Sequence, residues 1–163
     1  MTRRAFTVEA ANAALPHVRA TFRRVRTGRD AARRRADKIA VLDALWGDAI
    51  LDVSNPDHGE LLAHRQALIR IRRALEHLIE DRLTGQGIRV PPGALEHGLV
   101  DFPSTLGGRW IFLGWQAGES EVRYWHEIDG GFAGRTPITD ELATRIGLAG
   151  DPALEDDSAL DFS

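Results

Sequence analysis

The densest run of reactive side chains is Tyr124-Trp-His-Glu-Ile-Asp-Gly-Gly-Phe-Ala-Gly-Arg-Thr-Pro-Ile138. His126, Glu127 and Asp129 bring an imidazole and two carboxylates together, a set able to hold a divalent metal or to move a proton. Side chains alternate along a strand, so Glu127 and Asp129 would share one face and His126 the other. The three converge only if the strand ends near His126 and the chain turns at Gly130-Gly131. Asp101, in Leu99-Val-Asp-Phe-Pro103, is a candidate fourth member. The plainer alternative is a set of cross-strand ion pairs at a sheet edge, because structural pairs gather the same residue types. The spacing H-E-x-D matches no strong metal signature.

Gly130, Gly131 and Gly134 followed by Arg135 suggest an anion site, since glycines let backbone N–H groups approach and a guanidinium grips carboxylate or phosphate through two bonds. The same glycines would equally make an ordinary turn. Trp110, Trp115, Tyr124 and Trp125 are candidates for core, for a ligand wall, or for both. The expected ligand set is therefore Asp101, Trp115 and Arg135, matched to an anionic small molecule. The expected metal set is His126, Glu127 and Asp129, with a divalent metal the one cofactor suggested.

These residues need elements to position them. Thr7 reads as an N-cap with Glu9 in the first turn, and Val8, Ala11, Leu15, Val18, Phe22 and Val25 recur at helical spacing. The rhythm continues through Arg29, Ala32 and Ala36 to Ile39, Leu42, Trp46 and Ile50, which predicts one long helix with a kink at Pro16. A break at Gly28 is the rival, although one glycine costs only ~1 kcal/mol in a helix interior. Ser54-Asn-Pro-Asp57 is a turn, and Leu61, Leu62, Leu68, Ile69, Leu75, Leu78, Ile79 and Leu83 form the inward seam of a second helix stopped at Gly85. His64 and His77 read as exposed partners of nearby carboxylates. Beyond Gly87 the period shortens. Ile88–Val90, Leu99–Phe102 (ended by Pro103), Arg109–Trp115 and Val122–Glu127 read as strands of an antiparallel meander.

The expected fold is thus α+β: a long antiparallel helical hairpin over 7–85 packed on a small β-meander over 88–138. A single domain covers 1–150, and 151–163 reads as an acidic disordered tail. The chain has 163 residues and no cysteine, which excludes disulfides, thiolate metal sites and cysteine nucleophiles. No signal-peptide core and no window of eighteen apolar residues is present, so a cytoplasmic protein without membrane contact is expected. The net charge of −3 hides an asymmetry. Residues 1–93 hold seventeen basic and eleven acidic side chains, and residues 94–163 hold four and thirteen. Arg19 to Lys38 is a strongly basic stretch, but it lacks interleaved aromatics and any nucleic-acid motif, so a solvated helix face is the better reading.

Phe6-Thr-Val-Glu-Ala-Ala-Asn-Ala-Ala-Leu-Pro16, Gly98-Leu-Val-Asp-Phe-Pro103, Gly114-Trp-x-x-Gly-Glu119, Trp125-His-Glu-x-Asp129 and Gly131-Phe-Ala-Gly-Arg-x-Pro-Ile138 together resemble the prokaryotic domain-of-unknown-function family numbered 2203. The resemblance spans about residues 5–140. It implies a small bacterial protein without an assigned activity and adds weight to Leu99–Ile138 as the functional face. A cysteine or another small residue would be expected in relatives where Gly114 stands, so thiol chemistry fails there in this chain. The reading that follows is a small-ligand or divalent-metal-binding protein with its site on the sheet. The alternative is a non-enzymatic interaction module working through the hairpin, with self-association into a homo-oligomer. No reaction is assigned.

Overall fold

The computed structural model describes residues 3–160, and its contacts fall into two compact units. One comprises Met1–Ala20 with Asp81–Ser163, and the other Thr21–Glu80. Residues 1, 2 and 161–163 of the expected segments lie outside the described residues. The fold class is α+β, as the periodicities imply.

Helix α1, Val8–Trp46, is unbroken through both Pro16 and Gly28. Thr7 caps it as expected, its hydroxyl accepting from Ala10 N at 3.0 Å. In the hairpin unit α1 runs into the turn of residues 47–57 and then helix α2, His58–Arg82. Gly28 is a point of close approach rather than a break: a Cβ there would lie 2.5 Å from Leu75 Cδ2. Two helices offer each other only one face. The buried cluster is accordingly thin, with Leu42, Ile50 and Leu61 at its centre and Ile39 against it. Leu62 and Ile69, expected inside, are exposed. His64, expected outside, is buried.

In the other unit four strands form an antiparallel sheet in the order β1-β2-β3-β4: Leu99–Leu106, Arg109–Gln116, Tyr124–Glu127 and Thr136–Pro137. The expected strand at Ile88–Val90 reduces to one bridge, between Arg89 and Asp101. Strand β1 does not stop at Pro103. It is the outer neighbour of β2, and the backbone groups of Asp101 and Pro103 point away from β2, toward Arg89 and Phe6. Proline's missing N–H therefore costs the ladder nothing. One sheet face packs on the start of the chain, where the Phe6 and Phe102 rings meet edge to face at 5.2 Å and Ser104 Oγ donates to Phe6 O. The other face is covered at one end by the segment expected to be a disordered tail. Pro152–Glu155 and Ser158–Leu160 are short 3₁₀ helices, and Ala153 and Leu160 are buried against Trp110 and Phe112. Apolar burial explains this order: Leu160 and Ala153 close the core over the aromatic face, and Trp110 Nε1 donates to Asp156 O at 2.8 Å.

Candidate functional site

Pairing across the sheet decides which side chains meet. Asp101 lies opposite Gly114, Gly114 opposite Tyr124, and Phe112 opposite His126, so Asp101, Phe112, Gly114, Tyr124 and His126 share a face. Gly114 is the floor of this cluster. A Cβ there would lie 3.1 Å from Arg135 Cδ, 3.4 Å from His126 Cδ2 and 3.6 Å from Asp101 Oδ1. The missing side chain is what lets those groups close over the strand.

At the centre is a buried chain of charge. Arg89 Nη1 donates to Asp101 Oδ2 at 3.0 Å, and His126 Nε2 donates to Asp101 Oδ1 at 2.9 Å. His126 Nδ1 meets Glu127 O at 2.8 Å, and a carbonyl can only accept. Both ring nitrogens thus face acceptors, which favours the doubly protonated ring. Burial opposes that charge. The bond to Asp101, the attraction of its carboxylate and the Glu127 carbonyl outweigh burial, while Arg89 subtracts a little, so the imidazole stands above the ordinary histidine value. Two cations share one carboxylate. The outward end of the group is Arg89, whose guanidinium also lies 4.8 Å from the Phe112 ring centre.

Arg89 opens onto a groove of about 1020 Å³ whose cationic wall includes Arg3 and Arg4 and whose apolar wall includes Ile88, Val90 and Pro103. Among the described residues no carboxylate lines it. Arg3 is steadied by Leu160 O at 2.8 Å, and Arg4 by the Phe6 ring at 4.8 Å. A smaller cavity of about 410 Å³ shares Arg4 and Ile88 and adds His17 and Arg82.

The expected metal set does not come together. His126 turns to Asp101, and Glu127 lies on the opposite face in a 2.9 Å ion pair with Arg109. That bond and that charge hold the Glu127 carboxyl below its usual value. Asp129 is exposed in the turn. The strand runs on through Glu127, so alternation holds and separates them. Among the described residues no group of three or more histidine, aspartate or glutamate side chains is placed to hold a metal.

The expected ligand set is partly assembled. Asp101 and Arg135 each approach Gly114, but Trp115 is buried on the other face, its Nε1 donating to Glu119 O at 3.1 Å. Arg135 already has an internal anion. Its Nη1 reaches both Glu119 oxygens at 2.8 and 3.1 Å, with Phe132 and Tyr124 against the guanidinium. The glycine loop is an ordinary turn, its N–H groups at Gly134 and Arg135 spent on Gly131 O and Phe132 O. Sequence reasoning missed Arg89, Arg3, Arg4 and Glu119. Arg89 had a signal: one cation between Ile88 and Val90 in a short apolar run, facing a strand that carries a lone aspartate.

Among the described residues no helix is long and apolar enough to cross a membrane. Comparison with curated proteins and with solved structures finds no match. The family model of the uncharacterised conserved proteins DUF2203 matches residues 4–138, which takes in Arg89, Asp101, Gly114, His126 and Arg135, and the chain belongs to that family.

Proposed function

We propose that the protein binds a small organic anion, a carboxylate or phosphate on an apolar body, in the groove walled by Arg3, Arg4 and Arg89. The observation that carries this reading is the Arg89–Asp101–His126 chain. Held by a carboxylate that it shares with a buried imidazole, Arg89 presents its guanidinium to the groove beside Arg3 and Arg4, and a wall of three cations attracts an anion. Ile88, Val90 and Pro103 offer the apolar contact that a bare inorganic ion could not use. His126 acts as a positioning residue, holding Asp101 and through it Arg89, and touches no ligand.

The test is calorimetric titration with 2-naphthyl phosphate and 2-naphthoate, with inorganic phosphate as the comparison. Binding of at least one aryl anion, tenfold tighter than inorganic phosphate, is expected. Arg4→Ala and Arg89→Met should each weaken it tenfold or more, and Arg123→Ala should not. Failure of both aryl anions to bind at millimolar concentration would overturn the reading.

A further inference from the structure

Most of the exposed large apolar side chains gather at the turn end of the hairpin unit. Val41, Leu45, Trp46, Leu51, Val53 and Leu62 lie there, with Leu45 70 % and Val53 84 % exposed. A group of this size on a surface marks a contact site. Charge says what fits it. Residues 39–60 carry Asp43, Asp48, Asp52, Asp57 and Glu60 and not one lysine or arginine. Further along the same helices the sign reverses: residues 23–38 hold eight basic side chains against Asp30 and Asp37, and residues 65–73 add four more with no acid. On α1, Arg34, Lys38, Val41 and Leu45 follow at spacings of four, three and four, all exposed, so one face passes from cation to apolar toward its end. Asp48 and Asp52, both exposed, stand just beyond.

We propose that two copies of this chain associate antiparallel through this face, the acidic apolar end of each hairpin lying along the basic shaft of the other. The pattern is self-complementary only in that orientation. A parallel pair would set acid against acid and arginine against arginine. The offset from the middle of the basic run to the turn is about twenty residues, so the overlap is ~30 Å at the helical rise. Over a two-helix width of ~20 Å that covers ~600 Å² on each copy, the lower end of stable interfaces. The contact is isologous, so Val41 near its centre lies close to Val41 of the second copy. A nucleic acid would neutralise the arginines but leave Leu45 and Val53 in water and be repelled by the acidic end, and so fits the surface less well.

Sedimentation velocity of the full chain tests this. At ~50 µM and low salt a dimer is expected, weakening as salt is raised because the charge pairing is screened. Val41→Glu sets two carboxylates against each other at the centre of the contact and should return monomer. Arg34→Glu should weaken association at least tenfold, and adding Asp48→Arg should restore it. The chain has no cysteine, so mild oxidation of Val41→Cys reports the geometry directly: covalent dimer supports the antiparallel contact. Monomer at low salt overturns the proposal, and so does a dimer indifferent to Val41→Glu or one that Val41→Cys cannot cross-link. Wild-type monomer that binds duplex DNA would transfer the basic shaft to a nucleic-acid role.

Discussion

His64 in the hairpin and His126 in the sheet are both almost wholly buried, at 5 % and 1 % exposure, yet their partners ask opposite things of the ring. At His64 a guanidinium faces one nitrogen: Arg35 Nη1 donates to Nδ1 at 3.0 Å, so Nδ1 must accept and Nε2 is left to donate to Glu60 at 3.2 Å. Glu60 is half in water. At His126 both nitrogens donate, and the carboxylate that receives one of them is itself 3 % exposed and shared with Arg89. The hairpin histidine is a hydrogen-bond spacer at a solvated edge. The sheet histidine is part of a desolvated charge network. Burial alone therefore says little about a polar residue; what its partners can donate or accept, and whether water reaches them, sets its role and its energetic stake.

The sharpest break in the comparison is Asp101→Ala. It leaves Arg89 and the imidazole without their shared anion, and stranding buried charge costs roughly 3–5 kcal/mol. Urea denaturation should show that loss in full. A cost below about 1 kcal/mol would mean that the network is no more demanding than the hairpin's.

A smaller effect is expected from pH. The unfolded chain's histidines titrate near ~6.5, and His126 stands above that value when folded. A group with its pKa raised on folding contributes fully below the unfolded value and loses that contribution as pH climbs through the folded one. Stability should therefore fall from about pH 6 upward through that window, relative to an Asp101→Asn variant. In the variant burial acts on the ring with the carboxylate gone, and the slope should vanish or reverse. Calorimetric melts across the range, with the His126 ring followed by NMR, would show it. A slope equal in both proteins would remove the charged imidazole from the account.

Least is expected of Glu60→Gln. Solvent already screens that carboxylate and an amide oxygen can still accept from Nε2, so the change should stay within about 0.5 kcal/mol. A loss rivalling that of Asp101→Ala would make the two histidines alike.

The sequence carried the elements well and the site less well, for separable reasons. Periodicity located both helices and the meander because one face of each is buried, and the Thr7 cap follows from local chemistry alone. What escaped depended on contacts distant in the chain. Leu62 and Ile69 keep helical spacing with the seam, but a two-helix unit buries a narrower stripe than the spacing allows. The acidic composition past Asp151 hid Ala153 and Leu160, whose partners Trp110 and Phe112 lie more than forty residues earlier. The metal set failed because strand alternation, which the residues themselves predicted, was not interrupted. Asp101 was found as an isolated aspartate in an apolar strand, while its partner Arg89 sat in a run too short to reveal its register.

The sheet unit is discontinuous in the chain: Phe6 N bonds to Pro103 O, and the whole of Thr21–Glu80 intervenes between the two parts of that unit. Its assembly must close a loop of sixty residues, which for a flexible segment costs ~3–4 kcal/mol in chain entropy before any contact rewards it. The hairpin's own contacts are local by comparison, and local contacts form first. Once it has folded back on itself, Ala20 and Asp81 are carried by structured helix rather than by coil, and most of that entropy has already been spent. The hairpin is then a folding device for the sheet as well as a surface. Leu61→Ala should accordingly slow refolding, whereas Leu160→Ala, at a contact made late, should chiefly hasten unfolding.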